Sequence, residues 1–176
     1  MNEIDFLQQQ IAVMQRRLSE LRQVGKTYLL VKPENHFDWI IEFDGGTSCN
    51  DPAKGFGDGY GSFMVGATGS KFNECWPKFT RRFGVGHSCN SAEIMTLVES
   101  LKHLAGSITD ARSVRVLCRG DSKIALKWVS CKKIPPMKSS PKFQEAIGIL
   151  RGVVAQFGCV RTEWRGREES VRLFGH

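Results

Sequence analysis

Three carboxylates fall where a chain has little ordinary use for charge. WIIEFD runs apolar from Trp39 and delivers Asp44 just before Gly45 and Gly46; SVRVLCRGDS, residues 113–122, ends near Asp121; NSAEIMTLVESLKHLAG opens a helical pattern with Glu93 in its first turn. An ionised carboxylate buried without a partner is costly, so each of these needs a turn, a helix cap or a cation. Local readings exist for all three. Asp44 before two glycines suits an Asx-turn; Glu93, three residues after Asn90, suits the N3 place of a capping box; Asp121 ahead of a short helix suits an N-cap. The joint reading is different. Two strands of a partly parallel sheet end in Asp44 and Asp121, and ligands of such sheets gather outside the carboxyl ends of strands. A helix whose first turn crosses that edge brings Glu93 to the same place. Carboxylates crowded together repel unless cations hold them, and hard oxygen donors select Mg2+ or Mn2+. Two such ions on a carboxylate cluster carry out in-line phosphodiester hydrolysis.

The elements that must position these residues follow from periodicity. WIIEFD is a buried strand, residues 60–67 (YGSFMVGA) a second after a glycine-rich turn, and residues 78–85 (KFTRRFGV), alternating apolar and basic, a third and more exposed one. Three consecutive strands of this kind make an antiparallel meander. Ile94, Leu97, Val98, Leu101 and Leu104 form a helical stripe. A strand over 113–122, a short helix SKIALKWVS, a basic Pro-broken loop CKKIPPMKSSPK, a helix over 143–158 and a last strand CVRTEWR complete the order. The expected fold is α/β: a mixed five-stranded sheet, three strands antiparallel and two parallel, flanked by helices.

Ahead of it, Ile4, Leu7, Ile11, Met14, Leu18 and Leu21 recur in alternating steps of three and four, predicting an amphipathic, coiled-coil-like helix over 1–25, followed by a linker over 26–36 and one domain over 37–176. Three heptads are marginal alone in water, so this seam packs on a second copy, a protein partner or its own domain. No apolar run approaches the ~18 residues that span a bilayer, and MNEIDFLQQQ lacks the basic and apolar regions of a signal peptide, so the expectation is a cytoplasmic protein without a membrane partner. Its six cysteines form no CxxC pair, which favours reduced thiols over a zinc site. Of 25 Lys and Arg, 14 lie in residues 111–176 against 5 of the 18 Asp and Glu, giving that part +9; residues 1–110, with 11 against 13, carry −2. A one-sided basic surface of this size suits a polyanion with phosphates.

The order and wording of FDGGTSCN with Pro52, of NSAE at a helix start, of RGDS at a strand end and of VRTEWRGREE near the C-terminus resemble the type 1 ribonuclease H group of the ribonuclease H-like superfamily, over roughly residues 38–168. The resemblance implies a metal-dependent endoribonuclease that hydrolyses the RNA strand of RNA/DNA hybrids, with Asp44, Glu93 and Asp121 holding two Mg2+ or Mn2+ ions. It implies that Gly45 and Gly46 let the hybrid backbone approach. It further implies that Cys49, Asn50 and Asn90 contact the strands, reading 2′-hydroxyls in the wide minor groove. Lys123 beside Asp121, and Lys132, Lys133 and Lys138 in the basic loop, join the nucleic-acid contacts, with Trp128 either flanking them or in the helix core. Family members end on a helix carrying Asn and, four residues later, a fourth metal-binding Asp; here Ser170 and Phe174 stand at those places. Glu169 is the expected substitute ligand, with Glu168 and His176 as alternatives.

A second reading is a nucleic-acid-binding module that keeps this fold but turns over weakly and is recruited through its N-terminal helix. A third, a nuclease or recombinase acting on DNA junctions, fits NSAE at the helix start less well. GFGDGYG, residues 55–61, is no nucleotide loop, because neither Lys-Ser nor Lys-Thr follows and a strand comes next.

Overall fold

A computed structural model describes residues 36–48, 56–69, 76–133, 135 and 139–175, and Phe37–His176 is one compact unit. The heptad residues Ile4 to Leu21, residues 26–35 of the linker, Cys49, Asn50, Lys138 and His176 lie outside the described residues.

Five strands form one sheet in the order β3-β2-β1-β4-β5: β1 Trp39–Thr47, β2 Gly57–Ala67, β3 Lys78–His87, β4 Arg115–Gly120 and β5 Cys159–Trp164. β1 pairs antiparallel with β2, and β2 with β3; β1–β4 and β4–β5 are parallel. This is the meander and parallel pair expected from the strand order. Among the described residues the α-helices are α1 Cys89–Ser107, α2 Lys123–Ser130, α3 Pro141–Val154 and α4 Arg167–Phe174. None of them is long and apolar enough to cross a membrane.

Side chains alternate across a strand, so β1 turns Ile41 and Phe43 to one face and Glu42 and Asp44 to the other. The first face, with Phe63, Val116 and Cys118, packs on Ile94, Leu97, Val98 and Leu101 of α1 and on Ala146, Ile147 and Leu150 of α3. Trp128 belongs to this core, edge-on to Phe143 at 6.1 Å, which removes it from the nucleic-acid contacts. α1 lies so close to the sheet that a Cβ on Gly61 would stand 1.8 Å from Thr96 Oγ1. A smaller cluster of Met64, Trp76 and Phe174, with Ile40 and Leu173 against it, fastens α4 to the opposite face.

Candidate active site

The three local readings of the carboxylates fail for identifiable reasons. Asp44 sits inside β1, paired with Ser62, and no turn begins there. The N-cap of α1 is Ser88, whose hydroxyl accepts from Ser91 N–H at 3.2 Å while the Ser91 hydroxyl accepts from Ser88 N–H at 2.9 Å. This reciprocal pair caps the helix two residues before Asn90, so Glu93 is free of capping duty. The N-cap of α2 is Ser122, whose Oγ accepts from Ala125 N–H, so Asp121 is not a cap either.

Each carboxylate is placed by its element. Asp44, 8% exposed, is held in the middle strand of the sheet. The next residue, Gly45, lets the first turn of α1 close on the strand: a Cβ there would meet Glu93 Cα at 2.8 Å and Glu93 N at 2.9 Å. The space over Gly45 is thus filled by the helix, and that over Gly46 by the Tyr60 ring, with its hydroxyl 3.0 Å from where a Cβ would stand. The missing side chains of Gly45 and Gly46 let protein approach protein at these positions. The Ser122 hydroxyl donates to Glu93 Oε2 and joins α2 to α1 at this point. Burial raises the Glu93 carboxyl to about 7, the Ser122 hydrogen bond opposes this, and the charges of Asp121 and Asp44 add to it. Both aspartates therefore act on Glu93 electrostatically.

The donor chemistry, three carboxylates whose mutual repulsion a cation relieves, fits a hard divalent ion. Among the described residues, however, no three His, Cys, Asp or Glu side chains stand gathered as a ready ligand set. Arg167, at the start of α4, points its guanidinium at Asp121 with Nη1 4.0 Å from Oδ2 and acts to lower Glu93.

Two of the residues expected as a fourth ligand, Glu168 and Glu169, lie on α4. Glu169 accepts from Arg165 Nη1 at 2.7 Å and belongs to a cluster around Glu42 instead of the carboxylate trio. Glu168 is exposed on α4. Phe174, at the family's aspartate position, is 4% exposed in the Met64–Trp76 cluster, and Ser170 is buried at 3%. Asn90 lies on the surface and lines a cleft with Phe56, Ser88, Ser139, Ser140 and Phe143. Lys132 and Lys133 are exposed, on a segment held by Arg151, which donates to the carbonyls of Cys131 and Lys133. Lys123 stands with its Nζ 4.8 Å from the centroid of the Trp164 ring.

Sequence reasoning missed Glu42, Ser122, Trp164 and Arg167. Glu42, 2% exposed, faces Arg119 and Arg165 at 3.7 Å each; burial outweighs both arginines and raises its carboxyl to about 7. A carboxyl raised on folding contributes stability that is present below about 4.5 and lost as pH rises through about 7. Glu42→Gln is expected to match the parent in chelator near pH 4.5 and to be more stable above pH 7, by at most about 3 kcal/mol. Denaturant titrations at the two pH values measure this, and a variant less stable at high pH shows that the arginine pairing outweighs burial.

No family model matches this chain, and no curated protein matches it. Solved structures do. The N-terminal RNase H domain of rv2228c from Mycobacterium tuberculosis superposes with a TM-score of 0.59 at 18% identity, covering 78% of this chain and 91% of that one. RNase H1 from the halophilic archaeon Halobacterium salinarum NRC-1 gives 0.59 at 17% identity, covering 78% and 92%. LC11-RNase H1 in complex with an RNA/DNA hybrid gives 0.56 at 17% identity, covering 77% and 90%. The chain has the ribonuclease H fold.

Proposed function

We propose that this protein hydrolyses the RNA strand of RNA/DNA hybrids with the help of two divalent cations. The observation that supports the reading is that Ser122, beside Asp121, donates to the Glu93 carboxyl, on which the charges of Asp121 and Asp44 also act, while serines cap the adjoining helices. The ribonuclease H fold supports it, as does the complex of the similar LC11-RNase H1 with a hybrid.

In this reading Asp44, Glu93 and Asp121 hold the ions, which when bound activate water and stabilise the leaving oxygen. The chain's own groups set the stage. β1 fixes Asp44, Gly45 lets the backbone of Glu93 close on the adjoining position of the strand, and the Ser122 hydroxyl orients the Glu93 carboxylate. Arg167 offsets part of the negative charge beside Asp121. Glu93 must be ionised to act as a ligand, and burial raises its carboxyl in the empty site, so cation binding is expected to weaken as pH falls. Asn90 and the cleft of Ser88, Ser139 and Ser140 offer hydrogen-bonding groups to the strands, and the basic segment offers charge to phosphates.

Incubation with a labelled hybrid, with Mg2+ or Mn2+ and with chelator, tests this directly: metal-dependent cleavage of the RNA strand is expected. Tight binding without cleavage under any metal would instead favour the weakly active binding module, the reading favoured by the buried Phe174 in place of a fourth carboxylate. Changing Lys132, Lys133 and Lys138 together to Ala is expected to weaken binding and to reduce the slope of log affinity against log salt by about 1 for each phosphate that is no longer neutralised. An unchanged slope places these lysines off the binding path.

A further inference from the structure

The parallel register of β4 and β5 pairs Gly120 with Trp164, so β5 ends beside the point where β4 releases Asp121. The indole stays out of the core at 52% exposed, yet its position is fixed. Its Nε1–H donates to the main-chain oxygen of Asp121 at 3.0 Å, and Lys123 Nζ stands 4.8 Å from the ring centroid. Arg167, 80% exposed, reaches the side chain of the same Asp121. An indole and a guanidinium therefore meet the backbone and side chain of one residue of the candidate active site, with the Lys123 ammonium beside the indole.

In a continuous duplex each base is covered by its neighbours, and a protein ring has no base face to stack on. An exposed indole held next to fixed cations is the chemistry of single-strand binding, in which bases stack on aromatic rings while lysine and arginine neutralise the backbone. We propose that Trp164 and Lys123 form a platform for an unpaired nucleotide of the RNA strand where it leaves the duplex: a base stacks on Trp164 and its phosphate is neutralised by Lys123. The protein then prefers hybrids whose RNA runs on as a single strand. This rests on the hybrid reading above and adds to it a preference for the junction between hybrid and single strand.

The test uses the full chain in chelator and measures affinity for a blunt hybrid, for hybrids with a short RNA extension at either end, and for the same extensions made abasic. One extended hybrid is expected to bind about tenfold more tightly than the blunt one, with the abasic form losing most of the gain. Trp164→Ala should abolish the difference, and Trp164→Phe should keep most of it. Lys123→Gln should lower the salt slope for the extended hybrid by about 1. A 2-aminopurine in the extension should be quenched on binding to the parent and not on binding to the Ala variant. Equal affinity for blunt and extended hybrids overturns the proposal, as does a Trp164→Ala variant that weakens both by the same factor, since that is the mark of a ring acting only through the Asp121 backbone. Failure of the hybrid reading itself shows differently: neither hybrid is then bound more tightly than a DNA duplex of the same length.

Discussion

Asp121→Asn is expected to slow cleavage of an RNA/DNA hybrid at least about a hundredfold at saturating Mg2+, with no fall in melting temperature in chelator. Asn keeps the size of the side chain and removes its charge, so affinity for cations falls and the charge developing in phosphodiester cleavage loses its stabilisation. A loss of ~4 kcal/mol in the transition state is about a thousandfold in rate. Stability should not suffer. The α2 cap is Ser122, and Trp164 bonds the Asp121 main-chain oxygen, which the substitution leaves in place. Asp121 also raises the Glu93 carboxyl, so the variant should bring that group back toward its ordinary range, a shift that a pH titration of the Glu93 resonance reads without any substrate. A folded variant cleaving at the parental rate would remove Asp121 from the catalytic set, and the metal reading would fall with it.

Phe174→Asp, which installs the carboxylate that family resemblance places at this position, is expected to unfold the C-terminal helix and not to raise activity. Phe174 fills the space between Met64 and Trp76, and its main-chain oxygen accepts from Lys78 Nζ at 2.7 Å, so it anchors α4 to the sheet. Removing a buried aromatic side chain costs about 3–5 kcal/mol, and setting a carboxylate in its place adds a desolvation penalty that Lys78, 5.7 Å from the ring centroid, only partly offsets. For a unit of this size the melting temperature should fall by on the order of 10 °C. Phe174→Leu, which keeps most of the apolar volume, should lose far less. Retained melting temperature together with faster metal-dependent cleavage would show that the new carboxylate turns into the site and that the helix tolerates its release.

Much of the architecture was legible because it is local. The strand runs of Ile41 and Phe43, of Phe63 and of Val116 and Cys118, and the stripe from Ile94 to Leu104, are periodic in sequence and bury the faces their periods define. β2 begins three residues earlier than its apolar run, at Gly57, because pairing with β3 extends into residues that bury little. α3 begins at Pro141, two residues before its apolar stripe, because Ser140 caps it and proline is tolerated in a first turn.

The residues of the candidate site divide along the same line. Asp44, Glu93 and Asp121 could be singled out from sequence because a charge at the end of an apolar run, or at the start of an apolar stripe, is conspicuous in one dimension. What each does depended on contacts that sequence spacing does not encode. Ser88 and Ser122 outcompete Asn90 and Asp121 for the caps through backbone angles fixed only when the helices dock. Gly45 is closed over by α1, Glu42 is buried among arginines from β4 and the segment after β5, and Glu169 is drawn to Arg165. Trp164 reaches Asp121, 43 residues away in sequence, only through the parallel register of β4 and β5. The sequence by itself determined which segments are strands and helices and where charge meets apolar surface, since both are properties of near neighbours. The tertiary structure decided which of those charges are buried, paired or relieved of capping, because burial and hydrogen-bond competition are settled by chain segments that only packing and strand register bring together.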